Sequence, residues 1–341
     1  MDLIIGLNNN NIMKKLAFLF VLSTCIFAGF AQVKTNDIGL KLSKTIVLEH
    51  VKGGFDLMAA DVKGKRLFVA AQDNHTLEVI DLNTMKSLKS IPGFEEPKWV
   101  VYRPESNRLY VATALDGKVT VLDSRTYQII KKFTFKEKCN NLRFDPAKNL
   151  LYVGVGKTFG SIGIIDVSKD EIVGEITLSN FPKQFELVGN NMYVNVPETN
   201  TIEVADLTSR KVIASWPVKE AKDNVPMGID RIHQRLFIGC EPGKLIVYDL
   251  KTGKAISSLN ISKEADGIYY DQKRSLIYIS CAEGFIDVIK QYSPDNYQVK
   301  SKLPTKIGAG TSLLIPELDQ YILAVPQQGK DAAEIRVYQT L

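Results

Sequence analysis

One short motif returns seven times along this chain at an almost constant interval. It reads Leu67-Phe68-Val69, Leu109-Tyr110-Val111, Leu151-Tyr152-Val153, Met192-Tyr193-Val194, Leu236-Phe237-Ile238, Ile277-Tyr278-Ile279 and Tyr321-Ile322-Leu323, with central residues 42, 42, 41, 44, 41 and 44 positions apart. About a dozen residues later, in the first five copies, comes an apolar run closed by aspartate: Asp81, Asp123, Asp166, Asp206 and Asp249. A period of this length with several short apolar runs per copy predicts one small sheet per repeat. Such a sheet cannot bury its own faces, so seven of them stacking in a ring is the expected all-β solution, a seven-bladed β-propeller.

The second copy shows how a blade is built. Trp99 to Tyr102 reads as one strand, Pro104 to Asn107 as a turn and Arg108 to Thr113 as the next strand. Lys118 to Leu122 and Tyr127 to Phe135 supply two more, giving four antiparallel strands. Near-continuous apolar runs fit strands buried on both faces by neighbouring blades. The strand-closing aspartates are expected to accept backbone N–H groups of the turn that follows. The last copy stops after its third strand, at Glu334 to Tyr338, while Thr45 to Glu49 reads as a strand with no blade of its own. Pairing the segment near Ile46 with that near Val337 would supply the missing fourth strand and close the ring. Lysines gather on the outermost strands and the turns before them, at Lys86, Lys89, Lys131, Lys132, Lys211, Lys254, Lys300 and Lys302. No aromatic residues alternate with them, so guarding strand edges against pairing is preferred to a nucleic-acid stripe.

The domain reading is a leader over 1–31, a short segment over 32–43 and the propeller over 44–341. Lys14 and Lys15 precede the apolar stretch Leu16 to Phe30 and a small-residue pattern ending at Ala31, so Gln32 is the expected mature start. Met13 lies just before the lysines and is the expected true start. Lipidation at Cys25 is the weaker alternative, because Thr24 is an awkward residue before a lipidated cysteine. A periplasmic or secreted bacterial protein follows, expected to be a monomer with no later segment apolar enough to span a bilayer. The mature chain would keep Cys139, Cys240 and Cys281, an odd number that implies no disulfide framework. Formal charge is +5 overall and +4 once Asp2, Lys14 and Lys15 are removed, which demands no polyanionic partner such as nucleic acid.

Familiar chemical motifs fail one by one. Gly154-Val155-Gly156-Lys157-Thr158 suggests a phosphate loop, but Leu151 stands where the first glycine is required and a strand, not a helix, follows. No nucleotide cofactor is expected. Three histidines, His50, His75 and His233, are too few for haem or multi-copper chemistry. His50 and His75 are expected on one face and His233 on the other. No Gly-x-Ser-x-Gly elbow or His-Glu-x-x-His helix occurs.

Arg108-Leu109-Tyr110-Val111-Ala112, Pro226-Met227-Gly228-Ile229, Asn200 to Asp206 and Val79-Ile80-Asp81 resemble the repeats of the YVTN β-propeller family, over about Lys44 to Leu341. Lys290 and Gln339 depart from the pattern where the sixth and seventh copies would carry aspartate. The resemblance implies an exported seven-bladed propeller, often without catalytic activity, with lactonases and quinone-cofactor enzymes among related propellers.

Stacking the copies points to a site. Counting back a fixed distance from each repeat aromatic, two residues less in copies four and five, gives Asp56, Lys98, Asn140, Lys183, Met227, Asp266 and Gly310. Two positions later the set is Met58, Val100, Leu142, Phe185, Ile229, Ile268 and Ser312, almost wholly apolar. A polar channel mouth above an apolar core follows. Asp56, Asn140 and Asp266 are the candidate hydrogen-bonding or oxygen-ligand residues, and Lys98 and Lys183 the candidates for an anionic group. The preferred reading is a non-catalytic binding or scaffold protein for a small molecule, glycan or partner protein. The alternative is a lactonase-like hydrolase in which channel-mouth carboxylates hold a divalent metal.

Overall fold

The structure, a computed structural model, describes residues 39–341. The expected leader and the segment up to residue 38 lie outside the described residues. Seven separate four-stranded antiparallel sheets form, each running outward in chain order from its innermost strand. The first six blades occupy residues 58–92, 97–134, 139–178, 185–217, 227–260 and 265–304. The seventh takes three strands from residues 312–340 and its outermost strand from Leu40–Leu48. That strand pairs with Ala333–Thr340, with Ile46 opposite Ile335 and Lys44 opposite Val337. Closure therefore works as the unequal ends of the repeat require, though the strand begins at Leu40, ahead of the expected Thr45. No helix among the described residues is long and apolar enough to cross a membrane.

Second and third strands are buried along nearly their whole length, as in Arg66–Ala71 and Thr76–Asp81. The repeat aromatics Phe68, Tyr110, Tyr152, Phe237 and Tyr278 are almost wholly inaccessible to water. Each such ring removes on the order of 150–250 Å² of apolar surface from water, which is why the motif recurs once per blade. The strand-closing aspartates behave as expected. Asp81 accepts N–H bonds from Asn83 and Thr84, at 2.7 and 2.9 Å, and Asp123 from Arg125 and Thr126, at 2.9 and 2.8 Å.

A second device joins neighbouring blades. The middle of the third strand carries a buried carboxylate in three blades, Glu78, Glu203 and Asp287, and each grips the loop arriving from the preceding blade. Glu78 meets His50 Nε2 at 2.8 Å, Glu203 accepts the Ser179 N–H at 3.3 Å, and Asp287 accepts the Ser262 hydroxyl at 3.2 Å. Blade five substitutes Ile246 and Val218, which share one apolar cluster. Blade three substitutes Gly163, where any Cβ would fall 2.3 Å from the Phe135 ring that fills the space. The loop residue and the strand residue thus change together in polarity and size, keeping each junction packed or hydrogen-bonded.

Candidate functional site

All seven innermost strands start on one face, where the loops linking consecutive blades surround the axial channel. In three blades the innermost strand begins with a register break: Pro97 and Trp99 pair while Lys98 is skipped, Ala265 and Gly267 pair while Asp266 is skipped, and the break after Cys139 covers Asn140 and Asn141. A bulge of this kind re-aims the unpaired side chain. Lys98, Asn140 and Asp266 therefore sit at bulges, while Asp56 and Lys183 lie in the loops two residues before their inner strands.

The observed register corrects one copy. Met58, Val100, Leu142, Phe185, Ile268 and Ser312 lie opposite the residue after the repeat aromatic, as counted. In blade five the residue opposite Ile238 is Met227, not Ile229. Only blade four, with its tight Gly189-Asn190 turn, has the shortened first hairpin. Met227 is consequently a buried core residue, and Val225 takes its place at the mouth, where it lines a cavity of about 390 Å³ together with Phe55, Asp266, Gly310 and Thr311.

Carboxyl groups occupy one side of this mouth. Asp56 and Asp266, from blades one and six, are close enough for the Asp266 charge to oppose ionisation of Asp56. Burial, then the Asp266 charge, pushes the Asp56 carboxyl up to about 8, against weaker opposing pulls from Lys98, the Leu57 N–H and Lys183. Burial also raises Asp266. At neutral pH the pair therefore holds at least one proton. Thr311 Oγ1 lies 3.3 Å from Asp266 Oδ2 and 3.3 Å from the Phe55 carbonyl oxygen, linking blades six, seven and one. Gln184 reaches in from blade four, donating to the Asp266 carbonyl at 2.9 Å and accepting from the Met227 N–H at 3.1 Å. It ties the neighbouring blades four, five and six together.

Ammonium groups occupy the other side. Lys98 is held by Glu96 at 2.6 Å, by Gln72, and by Asp56 at 3.8 Å, with only 15% of its side chain exposed. Lys183 and the unforeseen Lys138 both lie over the Phe181 ring, with Nζ atoms 5.5 and 4.5 Å from its centroid. Burial, then the charges of Lys183 and Lys98, depress the Lys138 pKa. Lys138 also lines a second cavity of about 380 Å³ with Lys136, Lys157, Glu96 and Glu137. Asn140 is half-buried nearby but makes no hydrogen bond with these lysines or aspartates. Lys138 stands in the loop before its strand, outside the repeat register, so counting from the motif passes over it.

The remaining candidates resolve into structural roles. Backbone N–H groups of Lys157, Thr158 and Phe159 converge on the Glu137 carboxylate, which fills the position a phosphate would take in a true phosphate loop. His50 is engaged by Glu78, and His75 Nδ1 accepts the Glu96 N–H at 3.2 Å, so the two rings serve different partners. His233 bonds Asp230 at 2.6 Å in a turn of the opposite face. Burial pushes all three thiols up, Cys240 to about 12, as expected of inert packing residues. Trp99 is covered by the Arg143 guanidinium, 4.4 Å from its ring, and offers no open stacking platform. No group of three or more His, Cys, Asp or Glu among the described residues is arranged to hold a metal ion.

No protein-family model matches this chain. No curated protein matches it either. Among solved structures it is similar to a chain of the hydrazine synthase of Kuenenia stuttgartiensis, with a TM-score of 0.71 and 18% identity over 81% of this chain and 94% of that one. At that identity the likeness is one of fold, that of a β-propeller.

Proposed function

We propose that this chain is an exported YVTN-type β-propeller that acts as a binding protein, receiving a small molecule at the channel mouth. The observation that carries this reading is the mouth itself: one cavity lined by Asp266, Thr311 and Phe55 beside a carboxyl pair that holds at least one proton, and a second lined by Lys136, Lys138 and Lys157. Charged groups held out of bulk water with little regular-strand pairing cost stability, and a ligand that satisfies them repays it. A concave polar pocket on a rigid ring also favours a small molecule over a flat protein or glycan surface. The repeat motifs support the family reading, and the charged-then-apolar leader pattern supports export to the periplasm or cell exterior.

The hydrolase reading has less behind it. Two carboxyls that share a proton beside three ammonium groups make a poor donor set for a divalent cation, which needs several ionised or carbonyl oxygens. A carboxyl titrating near 8 is at neutral pH a proton donor rather than the base that would activate water.

Co-crystallisation with a metabolite panel chosen by thermal shift tests the proposal. Density over Asp56 and Asp266, and loss of the thermal shift in the Asp56→Ala, Asp266→Ala double variant, are expected. A panel in which every hit binds elsewhere, with shifts unchanged in the double variant, would overturn it. Sequencing of the mature N-terminus tests export, with Gln32 the expected first residue.

A further inference from the structure

We propose that Lys138 and Lys183, both held over the Phe181 ring, are the seat for the ligand's anionic group, a carboxylate or phosphate on a small organic molecule. This deepens the reading that the mouth binds a small molecule and rests on it.

Three observations carry the assignment. First, both ammonium groups lie over a single phenyl ring, 4.5 and 5.5 Å from its centroid, so two positive charges from blades two to four are brought together on one apolar platform. Second, neither Nζ forms an ion pair or hydrogen bond with any described residue. Lys118 and Lys306, comparably shielded from water, each hold a carboxylate, Asp116 at 2.9 Å and Asp331 at 3.2 Å. Lys98 in the same mouth has Glu96, Gln72 and Asp56 around it and is already neutralised. Third, the local charge pattern opposes folding: Lys183, Lys98 and Lys157 all act on Lys138 with like sign, Glu96 being the opposing charge that favours its ionised form.

A protein has no structural reason to gather unpaired like charges in a half-buried place; an anion supplies one. Geometry also sets what kind of anion fits. The nearby nest of N–H groups at Lys157 to Phe159 is filled by Glu137, so the backbone does not compete for the ligand. The Phe181 face accommodates a flat or apolar portion next to the anionic head, and the carboxyl pair with Thr311 on the far side of the mouth suits a hydroxyl or carbonyl on the same molecule.

The experiment is a calorimetric titration of the full mature chain at low ionic strength with two probes, inorganic phosphate and succinate. At least one is expected to bind the natural protein, and the better probe identifies phosphate or carboxylate as the head group. Lys138→Met and Lys183→Met should each weaken that probe by about 10-fold, as for a lost charge-assisted hydrogen bond, and Lys98→Met by less than about 3-fold. Lys138→Met without ligand should melt at the same temperature as the natural protein or higher, which separates a binding role from a structural one. Absence of binding by both probes overturns the assignment, as does an equal loss in all three lysine variants. A neutral ligand found over Asp56 and Asp266 whose affinity ignores Lys138 and Lys183 would refute the anion seat while leaving the binding reading intact. Failure of every ligand to occupy the mouth removes both.

Discussion

Aspartate behaves in opposite ways at the two ends of this ring. On the face of the tight turns, Asp81, Asp123 and Asp206 are held below the usual carboxylate range by backbone N–H groups, and the Ser168 hydroxyl and neighbouring N–H groups bring Asp166 down to about 2. Around the channel, burial and the Asp266 charge drive Asp56 up to about 8, and burial raises Asp266 as well. The residue type is the same; the supply of donors differs. A hairpin turn offers two N–H groups to any acceptor at its first corner, whereas the loop leading into the first inner strand offers Asp56 one, from Leu57 at 2.9 Å. Turn aspartates stabilise the fold, and mouth aspartates are carried at a cost to it.

The largest effect should come from removing what both faces depend on. Deleting Leu40–Leu48 strips the outer strand from the seventh blade and exposes the Ala333–Thr340 edge, so cooperative thermal unfolding should be lost. A calorimetric trace with an unchanged single transition would mean that ring closure does not hold the two faces together.

Asp56→Asn separates the faces by pH. With a folded pKa raised from 3.8 to about 8, the natural carboxyl contributes stability that is complete below pH 4 and is lost as pH rises through 8. The variant lacks that loss. By pH 8 it should be more stable than the natural protein by about 1–3 kcal/mol, allowing for screening by water in the mouth, with no advantage at pH 4. Denaturant melts at the two pH values decide this, and a gap independent of pH would contradict the raised titration.

Asp249→Asn should show the smaller, opposite trend. Burial works against ionisation there, but N–H bonds from Thr252 and Lys251 and the Arg235 guanidinium at 2.6 Å prevail and hold the carboxylate low. Its contribution is present above the ordinary carboxylate pKa and lost as pH falls through the lowered one. The variant should melt about 2–4 °C below the natural protein at pH 7, the gap closing in strong acid. A gap that widens on acidification would contradict the assignment.

How much of this was legible in the residues follows the same divide. The ring, its closure and the turn aspartates could be read because each depends on local pattern: a repeated aromatic, an unmatched strand at either end, a carboxylate at a strand's last position. The mouth was legible only where the repeat kept count. Register places Asp56, Lys98, Lys183 and Asp266 just before or at the starts of their inner strands, but it fails in blade five, which lacks the short first turn of blade four. Lys138 and Phe181 lie in inter-blade loops, where no period constrains the chain, and nothing in the sequence links two residues that meet only after two blades have stacked. Glu137, filling the nest that resembles a phosphate loop, is twenty positions from Lys157 and equally invisible beforehand.

The seam inside the seventh blade, where the N-terminal strand meets the C-terminal one, also sets an order in time. Ser43 meets the Val337 carbonyl across 294 positions of chain, so the seventh sheet is completed only when nearly the whole polypeptide is at hand. Contacts this distant form slowly. Thr311 and Phe55, which complete one wall of the pocket, lie on opposite sides of that seam. Six blades can stack before that seam closes, and the wall that Thr311 and Phe55 form is completed only with it.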